Sequence, residues 1–225
     1  MRIATWNSLG KPIGAGNPKE NVLQELLAAC EFVLIQEAGV LASMGSPTPS
    51  TASLTNGFTF HVFGVRMAGA ANNRCDTAIV SQIDYPFESW NYLTLPSSSG
   101  RSGLYVESSG WVIATLHSDA GGSSGIDMFG FLSHLGSTFG DNKPVVIGGD
   151  FNQSPERKFE TGSGTRTRWS THSTVAHTHS SGGTFDYFMT NSAVLKNDGP
   201  RVLNLHGDTS DHKPVYISVI KMADA

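Results

Sequence analysis

Several apolar, strand-length runs of this sequence end in a polar side chain that suits metal or phosphate chemistry. They place Asn7, Glu37, His117, Asp150 and Asn152 at or just beyond the ends of such runs. A side chain at the end of a buried strand is held by a rigid element beside a rim, which is how a metal ligand is kept in place. The pattern predicts that these strand ends meet around one site.

The acidic members of this set favour a hard divalent cation. Glu37, Asp150, Asn152 and, near the C-terminus, Asp211 offer carboxylate and amide oxygens, which are the ligands that Mg²⁺ prefers in proteins. Asp150 and Asn152 are two residues apart, so their side chains point the same way in an extended segment. We therefore predict a Mg²⁺ site, in which Mn²⁺ or Ca²⁺ can substitute.

Two histidines and a further aspartate add proton-transfer chemistry. Imidazoles such as those of His117 and His212 suit proton transfer near neutral pH, and Asp186 is a candidate to hold His212 in one tautomer. Hydrolysis of a phosphodiester needs an attacking water, stabilised charge at the phosphoryl oxygens and help for the leaving oxygen. These side chains can serve all three needs, and which histidine is the acid and which the base stays open.

Each of these residues also has a plain structural explanation. Glu37 could be a solvated strand end, Asp150 part of a turn and His117 a hydrogen-bonded core histidine. Asp211 and His212 could cap the turn before the last strand. Their joint occurrence in this order favours an enzyme site over separate, unrelated explanations.

Composition and length favour one domain over residues 1–225. The chain has 225 residues, of which 39% are hydrophobic and 15% charged, enough for a sizeable core. The formal net charge of −4 argues against a passive nucleic-acid-binding module, which is often basic, and less against an enzyme whose acidic residues hold cations.

No transmembrane segment or signal peptide is visible, and the compartment stays open. Cys30 and Cys75 form either one disulfide or two buried thiols.

The runs that must position the polar residues are short and bounded by Gly, Pro, Asn and Ser, as in a sandwich of β-sheets. Strands are expected near 2–6, 32–36, 58–65, 77–82, 103–108, 111–117, 144–149, 184–190, 201–205 and 214–221, helices at 18–30 and 125–138, and long loops at 39–56 and 160–183. The second loop carries His172, His177 and His179. These three histidines either bind a stray metal or, as we favour, are plain loop residues.

At these residues the chain resembles the endonuclease/exonuclease/phosphatase superfamily. The matching segments are Thr5-Trp6-Asn7, Gln36-Glu37-Ala38-Gly39, His117-Ser118-Asp119-Ala120, Gly149-Asp150-Phe151-Asn152, Phe185-Asp186-Tyr187 and Ser210-Asp211-His212-Lys213-Pro214-Val215. They span nearly the whole chain. Within the superfamily, four stretches look like motifs of the catalytic B subunits of cytolethal distending toxins: residues 4–7, 36–39, 148–155 and 180–187.

The resemblance implies an α/β fold, a four-layered sandwich of two mixed β-sheets flanked by helices, as in DNase I-like enzymes. It implies Mg²⁺-dependent cleavage of DNA with low sequence specificity by a monomeric catalytic unit. Carried over by position, Glu37 would hold the metal, Asp150 would orient the attacking water or share the metal, and Asp211 would be a metal-side carboxylate. Asn152 would bind phosphate, and Asn7 would complete the metal or phosphate site. His117 and His212 would serve the phosphate and the proton transfers, with Asp186 paired to His212.

The toxin likeness adds expectations about substrate and partners. Arg101 resembles a DNA-contacting arginine of these toxins, although a solvated loop arginine explains it equally well, and Arg74 is a second phosphate-contact candidate. Toxin relatives are secreted and act in a host nucleus. The region from Gly10 to Lys19 looks short against the toxins, which puts a docking surface for toxin partner subunits in question.

Two competing functions use the same fold. The superfamily also contains phosphoinositide phosphatases and sphingomyelinases with the same catalytic core, so the sequence separates them poorly from a DNA endonuclease. A non-enzymatic binding protein would be expected to have lost side chains at the key positions, and this chain keeps a competent residue at each of them.

Overall fold

Strands dominate the chain, as its short apolar runs predict. The computed structural model describes residues 1–10, 17–66, 76–95, 101–120, 124–156, 169–205 and 210–222. Within these ranges the elements are β1 (Arg2–Asn7), α1 (Pro18–Ala29), β2 (Phe32–Gln36), α2 (Val40–Met44), β3 (Ser50–Ser53), β4 (Thr59–Val65), β5 (Thr77–Gln82), β6 (Ser89–Thr94), β7 (Ser102–Ser108), β8 (Trp111–His117), α3 (Ser124–Phe139), β9 (Val145–Asp150), β10 (Trp169–His172), β11 (Asp186–Asn191), β12 (Val194–Val202) and β13 (Val215–Lys221).

The strands form two mixed sheets. The first sheet has the order β12-β13-β1-β2-β5-β4-β3, and the second sheet has the order β10-β11-β9-β8-β7-β6. Each sheet holds one parallel pair near its centre, β1 with β2 and β8 with β9. The flanking pairs are antiparallel, including β1 with β13 and β9 with β11. A mixed sheet of this kind brings the ends of some strands and the starts of others to one edge.

Alternating side chains divide the apolar residues among three core layers. In β2, Val33 and Ile35 pack in the cluster under α1, whereas Phe32 and Leu34 pack in the cluster between the two sheets. A third cluster joins the outer face of the second sheet to α3. Because β2 is buried on both faces, its sequence is a continuous apolar run. The layer order α1, first sheet, second sheet and α3 confirms the predicted four-layered sandwich.

The two long helices occur where apolar spacing predicts them. The side chain of Asn17 caps α1 by accepting from the backbone N–H of Lys19 at 3.0 Å, and Pro18 occupies the first turn. Both features are typical of helix starts. The helix ends at Ala29, one residue before the predicted end, because Cys30 adopts extended backbone. α3 extends one residue beyond the predicted range at each end.

The sequence-based predictions are wrong mainly at the sheet edges. The stretch 39–56, predicted as a loop, contains α2 and β3, and the predicted loop 160–183 contains β10. β6 was not predicted, and β12 begins at Val194, well before the predicted strand at 201–205. β3, β6, β10 and β12 are the four edge strands of the two sheets. An edge strand is covered less than a central one and therefore lacks the continuous apolar run that identifies central strands.

The remaining general predictions concern cysteines and membranes. Cys30 is a free, buried thiol, and burial raises its pKa to about 12. Cys75 and Arg74 lie outside the described residues. Among those that are described, no helix has the length and apolar character needed to cross a membrane.

Candidate active site

The sheet topology brings six of the predicted site residues to one edge of the sandwich. Parallel β1 and β2 both end there, at Asn7 and just before Glu37. Parallel β8 and β9 end there as well, with His117 directly opposite Asp150 in the register. Antiparallel β11 begins at the same edge, with Asp186 on the other side of Asp150. His212 comes just before β13, which runs antiparallel to β1 and so also begins at this edge.

The Asn7 side chain connects the two sheets at this edge. Its Nδ2 donates to Asp150 Oδ2 at 2.9 Å and lies 3.5 Å from Glu37 Oε1. Its Oδ1 accepts from the backbone N–H of Leu9 at 3.0 Å, which fixes the orientation of the amide. Asn7 is buried. One amide therefore holds a carboxylate of the first sheet close to a carboxylate of the second.

Asp150 lies at the centre of the site. Its Oδ1 accepts from the backbone N–H of Asn152 at 2.9 Å. Its Oδ2 lies 3.5 Å from His117 Nε2 and 3.7 Å from His212 Nε2. Burial and, after it, the charge of Asp186 raise the pKa of Asp150 to about 6, while His212 opposes this rise. A carboxylate crowded in this way is typical of functional sites.

Asp186 and His212 form a buried ion pair beside Asp150. His212 Nδ1 donates to Asp186 Oδ2 at 2.8 Å. Burial lowers the pKa of His212, but the hydrogen bond and charge of Asp186, together with Asp150 and Asp211, outweigh burial and raise it to about 9. For the Asp186 carboxyl, burial has the opposite effect and raises the pKa. With Nδ1 engaged, Nε2 is the ring nitrogen that faces Asp150.

Two site residues adopt left-handed backbone. Glu37 has φ +52° and Asn152 has φ +48°, a region that residues other than glycine seldom occupy. The backbone carbonyl of Glu37 accepts a hydrogen bond from the Ser8 hydroxyl at 2.8 Å. Around Asn152, the backbone N–H is held by Asp150. Such conformations persist only where the surroundings enforce them, and they occur often at functional sites.

Arg101 and Asn152 meet at one backbone carbonyl next to the site. Asn152 Nδ2 donates to the carbonyl of Ser118 at 2.9 Å, and Arg101 Nη1 donates to the same oxygen. Ser118 directly follows His117, and its own N–H donates to the Asp150 carbonyl at 3.0 Å. Arg101 therefore lies beside the cluster rather than in a remote loop. Nothing in the sequence indicated the role of the Ser118 carbonyl, because a backbone acceptor has no residue-type signal.

Asp211 lies on the His212 side of the site, next to a histidine that the sequence analysis assigned to a plain loop. His179 Nε2 is 3.4 Å from Asp211 Oδ2, and the His179 ring lies 4.5 Å from the His212 ring. Within the described ranges, two groups have potential ligand atoms within 4.8 Å of one another: His179, Asp211 and His212, and Asp150, Asp186 and His212. Glu37 belongs to neither group. Asp211 is thus grouped with His179 and His212 and not with Glu37.

The donor set at this edge fits a hard divalent cation. Glu37, Asp150 and Asp186 are carboxylates with relative exposures of 7%, 1% and 0%, and buried carboxylates need nearby positive charge. The Asn7 amide brings Glu37 and Asp150 close together. Oxygen ligands of this kind suit Mg²⁺ or Mn²⁺ rather than a thiolate-preferring metal. Glu37 and Asp150 are the residues that would hold the cation, with Asn7 positioned to support both.

Comparisons with known proteins concern the family and the fold of this chain. The model of the Endonuclease/Exonuclease/phosphatase family matches residues 4–212. A search of curated proteins finds no match. Solved structures that share the fold include the Haemophilus ducreyi cytolethal distending toxin (TM-score 0.74, 19% identity, 96% of each chain covered) and the Actinobacillus actinomycetemcomitans cytolethal distending toxin (TM-score 0.73, 19% identity, 96% of this chain and 97% of that one). A Bacteroides thetaiotaomicron mannosyl-6-phosphatase also shares it (TM-score 0.66, 15% identity, 98% of this chain and 99% of that one).

Proposed function

From the premise that this chain belongs to the Endonuclease/Exonuclease/phosphatase family, we propose that it is a divalent-metal-dependent phosphodiesterase and that its substrate is DNA, cut with little sequence specificity. The family match supports a nuclease or phosphoesterase, and the structural neighbours share the DNase I-like fold. The metal requirement and the DNA substrate are the parts that we propose.

One observation carries this proposal. Asn7 lies in the first strand, and His212 lies in the segment before the last strand. Asn7 donates to Asp150 Oδ2, and His212 Nε2 faces the same oxygen. His117 lies 3.5 Å from the same oxygen. Side chains this distant in sequence have no structural need to meet at one buried acid, whereas hydrolysis of a phosphodiester requires such a meeting of acid, base and charge-stabilising groups.

The hydrogen bonds support a proposed role for each side chain. Asp186 holds His212 by Nδ1, so Nε2 is the atom that exchanges a proton with substrate or water. Asp150, held by Asn7 and by the Asn152 N–H, orients the attacking water. A cation held by Glu37 and Asp150 would supply neutralisation of negative charge at the phosphoryl oxygens.

We infer that three side chains bind the phosphate. His117 Nε2 faces the same centre as His212 Nε2. Asn152 is tied to the Ser118 carbonyl by its amide, and Arg101 joins it there. A guanidinium can bind a phosphate oxygen through two N–H groups. We infer that Arg101 contacts the backbone of the DNA next to the scissile phosphate.

Nicking of supercoiled plasmid tests the proposal. Purified protein with Mg²⁺ should convert supercoiled DNA to the nicked form, and EDTA should stop the conversion. Asp150→Ala and His117→Ala should each lower the nicking rate by about 10²–10⁴-fold, which is the usual contribution of a positioned acid or base. Asp141→Ala and His134→Ala, which change the same residue types away from the site, should retain the wild-type rate.

Other phosphoesters distinguish the competing substrate. Release of phosphate from a phosphoinositide without plasmid nicking would replace DNA with a phosphomonoester and leave the hydrolytic site in place. Tight DNA binding with no turnover in Mg²⁺, Mn²⁺ or Ca²⁺ would contradict the proposal that this protein is an enzyme. Nicking that persists in Asp150→Ala would contradict the assigned residues.

A further inference from the structure

We propose that His179 is a positioning residue of this site, which holds the Asp211 carboxylate in place beside His212. The inference rests on the proposed function, since it assigns a residue to that reaction. His179 lies in the segment between β10 and β11, and it reaches the site only because of the fold.

The backbone fixes His179 opposite His212. The two residues form an isolated antiparallel bridge. On either side of it, the Ser180 N–H donates to the Asp211 carbonyl at 2.8 Å and the Lys213 N–H donates to the Thr178 carbonyl at 2.8 Å. The segment around His179 is therefore joined by main-chain hydrogen bonds to the segment that carries Asp211 and His212. These main-chain bonds use no atom of the His179 side chain.

Hydrogen bonds of the imidazole select its tautomer. The backbone N–H of Ser181 donates to His179 Nδ1 at 3.0 Å, and the Ser181 hydroxyl lies 2.6 Å from the same nitrogen. A backbone N–H can only donate, so Nδ1 is an acceptor and carries no proton. The proton of the neutral ring is then on Nε2.

The protonated nitrogen is the one that approaches Asp211. His179 Nε2 lies 3.4 Å from Asp211 Oδ2. A donor at this position favours one orientation of the Asp211 carboxylate. It also argues against His179 as a metal ligand, because a ligating nitrogen must give up its proton and Nδ1 would then have to carry it towards the Ser181 N–H.

The ring of His179 also restricts His212. The two imidazoles meet edge to face, with centroids 4.5 Å apart and planes at 74°. On its other side His212 is held by Asp186 at 2.8 Å. His179 is partly exposed, with 21% of its side chain accessible, and its side-chain hydrogen bonds, ion pair and ring contacts in the described structure do not involve Asp150. We therefore infer that its effect on the reaction passes through Asp211, which it holds beside His212.

Two conservative substitutions test the two ring nitrogens of His179 one at a time. Glutamine places an amide N–H near the position of Nε2, whereas asparagine places its polar atoms near the position of Nδ1. We expect His179→Ala and His179→Asn to lower kcat for plasmid nicking by about 10- to 100-fold with KM nearly unchanged, as is usual when a residue supporting a functional group is lost. His179→Gln should restore kcat to within about threefold of wild type.

A double-mutant cycle tests the route through Asp211. In an Asp211→Ala background, His179→Ala should cause little further loss, because the group that it positions is already absent. Losses that multiply, or a His179→Ala enzyme with wild-type kcat, would overturn the inference. His177→Ala, a neighbouring exposed histidine, is the matched control and should behave as wild type.

Crystal structures of the variants give a readout that is independent of catalysis. The Asp211 carboxylate should leave its present orientation in His179→Ala and keep it in His179→Gln. An unmoved Asp211 in the alanine variant would contradict the inference even if the protein cleaves no DNA. A wild-type protein that cleaves nothing, with Asp211 displaced in the alanine variant, would instead contradict the proposed function alone.

Discussion

At the scale of single residues, the ion pair of Asp186 and His212 fixes the orientation of the His212 ring, the proposed proton-transfer group. The 2.8 Å contact from Nδ1 to Asp186 Oδ2 leaves Nε2 as the nitrogen facing Asp150. The sequence allowed this pairing to be predicted, because a carboxylate that orients a catalytic imidazole is a recurrent arrangement. It did not allow His179 to be chosen among three loop histidines, since only the pairing of 179 with 212 distinguishes it.

Replacement of Asp186 by asparagine should therefore reduce catalysis with little effect on binding. The asparagine side chain would keep the size of the aspartate but lose its charge, and its amide N–H would favour the wrong tautomer of His212. We expect Asp186→Asn to lower kcat by about 10²–10⁴-fold with KM almost unchanged, measured by plasmid nicking. The control is Asp198→Asn, a partly exposed aspartate paired with Arg201 away from the site, which should retain full activity. A large rise in KM with normal kcat would contradict the assigned role.

At the scale of elements, burial determines which strands a sequence reveals. β2, β8 and β9 are buried along their whole length, and their apolar runs were predicted almost to the residue. The edge strands β3, β6, β10 and β12 were missed or misplaced. Their exposed residues interrupt the pattern, as the Ser50–Ser53 strand illustrates. Element order and strand ends could thus be predicted where the core demands apolar residues, but sheet width could not.

The pairing of β8 with β9 has a requirement that no hydrophobic pattern shows. A Cβ atom on Gly149 would lie 2.0 Å from the backbone carbonyl oxygen of Leu116 in the neighbouring strand, far inside contact distance. Gly149→Ala should therefore force the two strands apart beside His117 and Asp150. We expect a loss of at least about 1–3 kcal/mol in the free energy of unfolding, measured by urea denaturation, and a fall in nicking activity.

A second glycine provides the comparison for that measurement. Gly125 lies in α3, where a Cβ would meet only the side-chain oxygen of Gln153 at 3.8 Å. Gly125→Ala should be neutral or stabilise the protein by about 0.5–1 kcal/mol, since alanine favours helix. Equal stability changes for the two variants would show that the close approach at Leu116 is not a constraint.

At the scale of the whole molecule, the two sheets meet at the site through groups that repel one another. The core between the sheets is apolar, but at the site edge Glu37 of the first sheet and Asp150 of the second both approach the Asn7 amide. Convergence of this kind could be predicted from the family resemblance and from the strand-end pattern. It could not be derived from periodicity alone, because periodicity does not tell which strands are neighbours.

This arrangement predicts opposite effects of Asp150→Asn on stability with and without metal. At pH 7.5 the Asp150 carboxyl is above its raised pKa of about 6. A raised pKa means that the folded state disfavours the charged form, so the penalty is absent at low pH and complete above that value. In EDTA, Asp150→Asn should therefore raise Tm, by roughly 2–4 °C for each kcal/mol removed. Thermal melts by circular dichroism measure this change.

Added Mg²⁺ should reverse the order of the two proteins. A cation at 100 times its Kd stabilises the folded wild type by about 2.7 kcal/mol, or roughly 5–10 °C in Tm, whereas Asp150→Asn has lost one of the carboxylates that would hold it. Asp141→Asn, an exposed aspartate, should show the wild-type rise in Mg²⁺. An equal rise in the Tm of Asp150→Asn on addition of Mg²⁺ would place the cation elsewhere. A Tm of Asp150→Asn below that of the wild type in EDTA would mean that the hydrogen bonds of Asp150 outweigh its charge repulsion. The expected exchange of order would tie the instability of this edge to its proposed use as a metal site, because the same buried carboxylates would cause both.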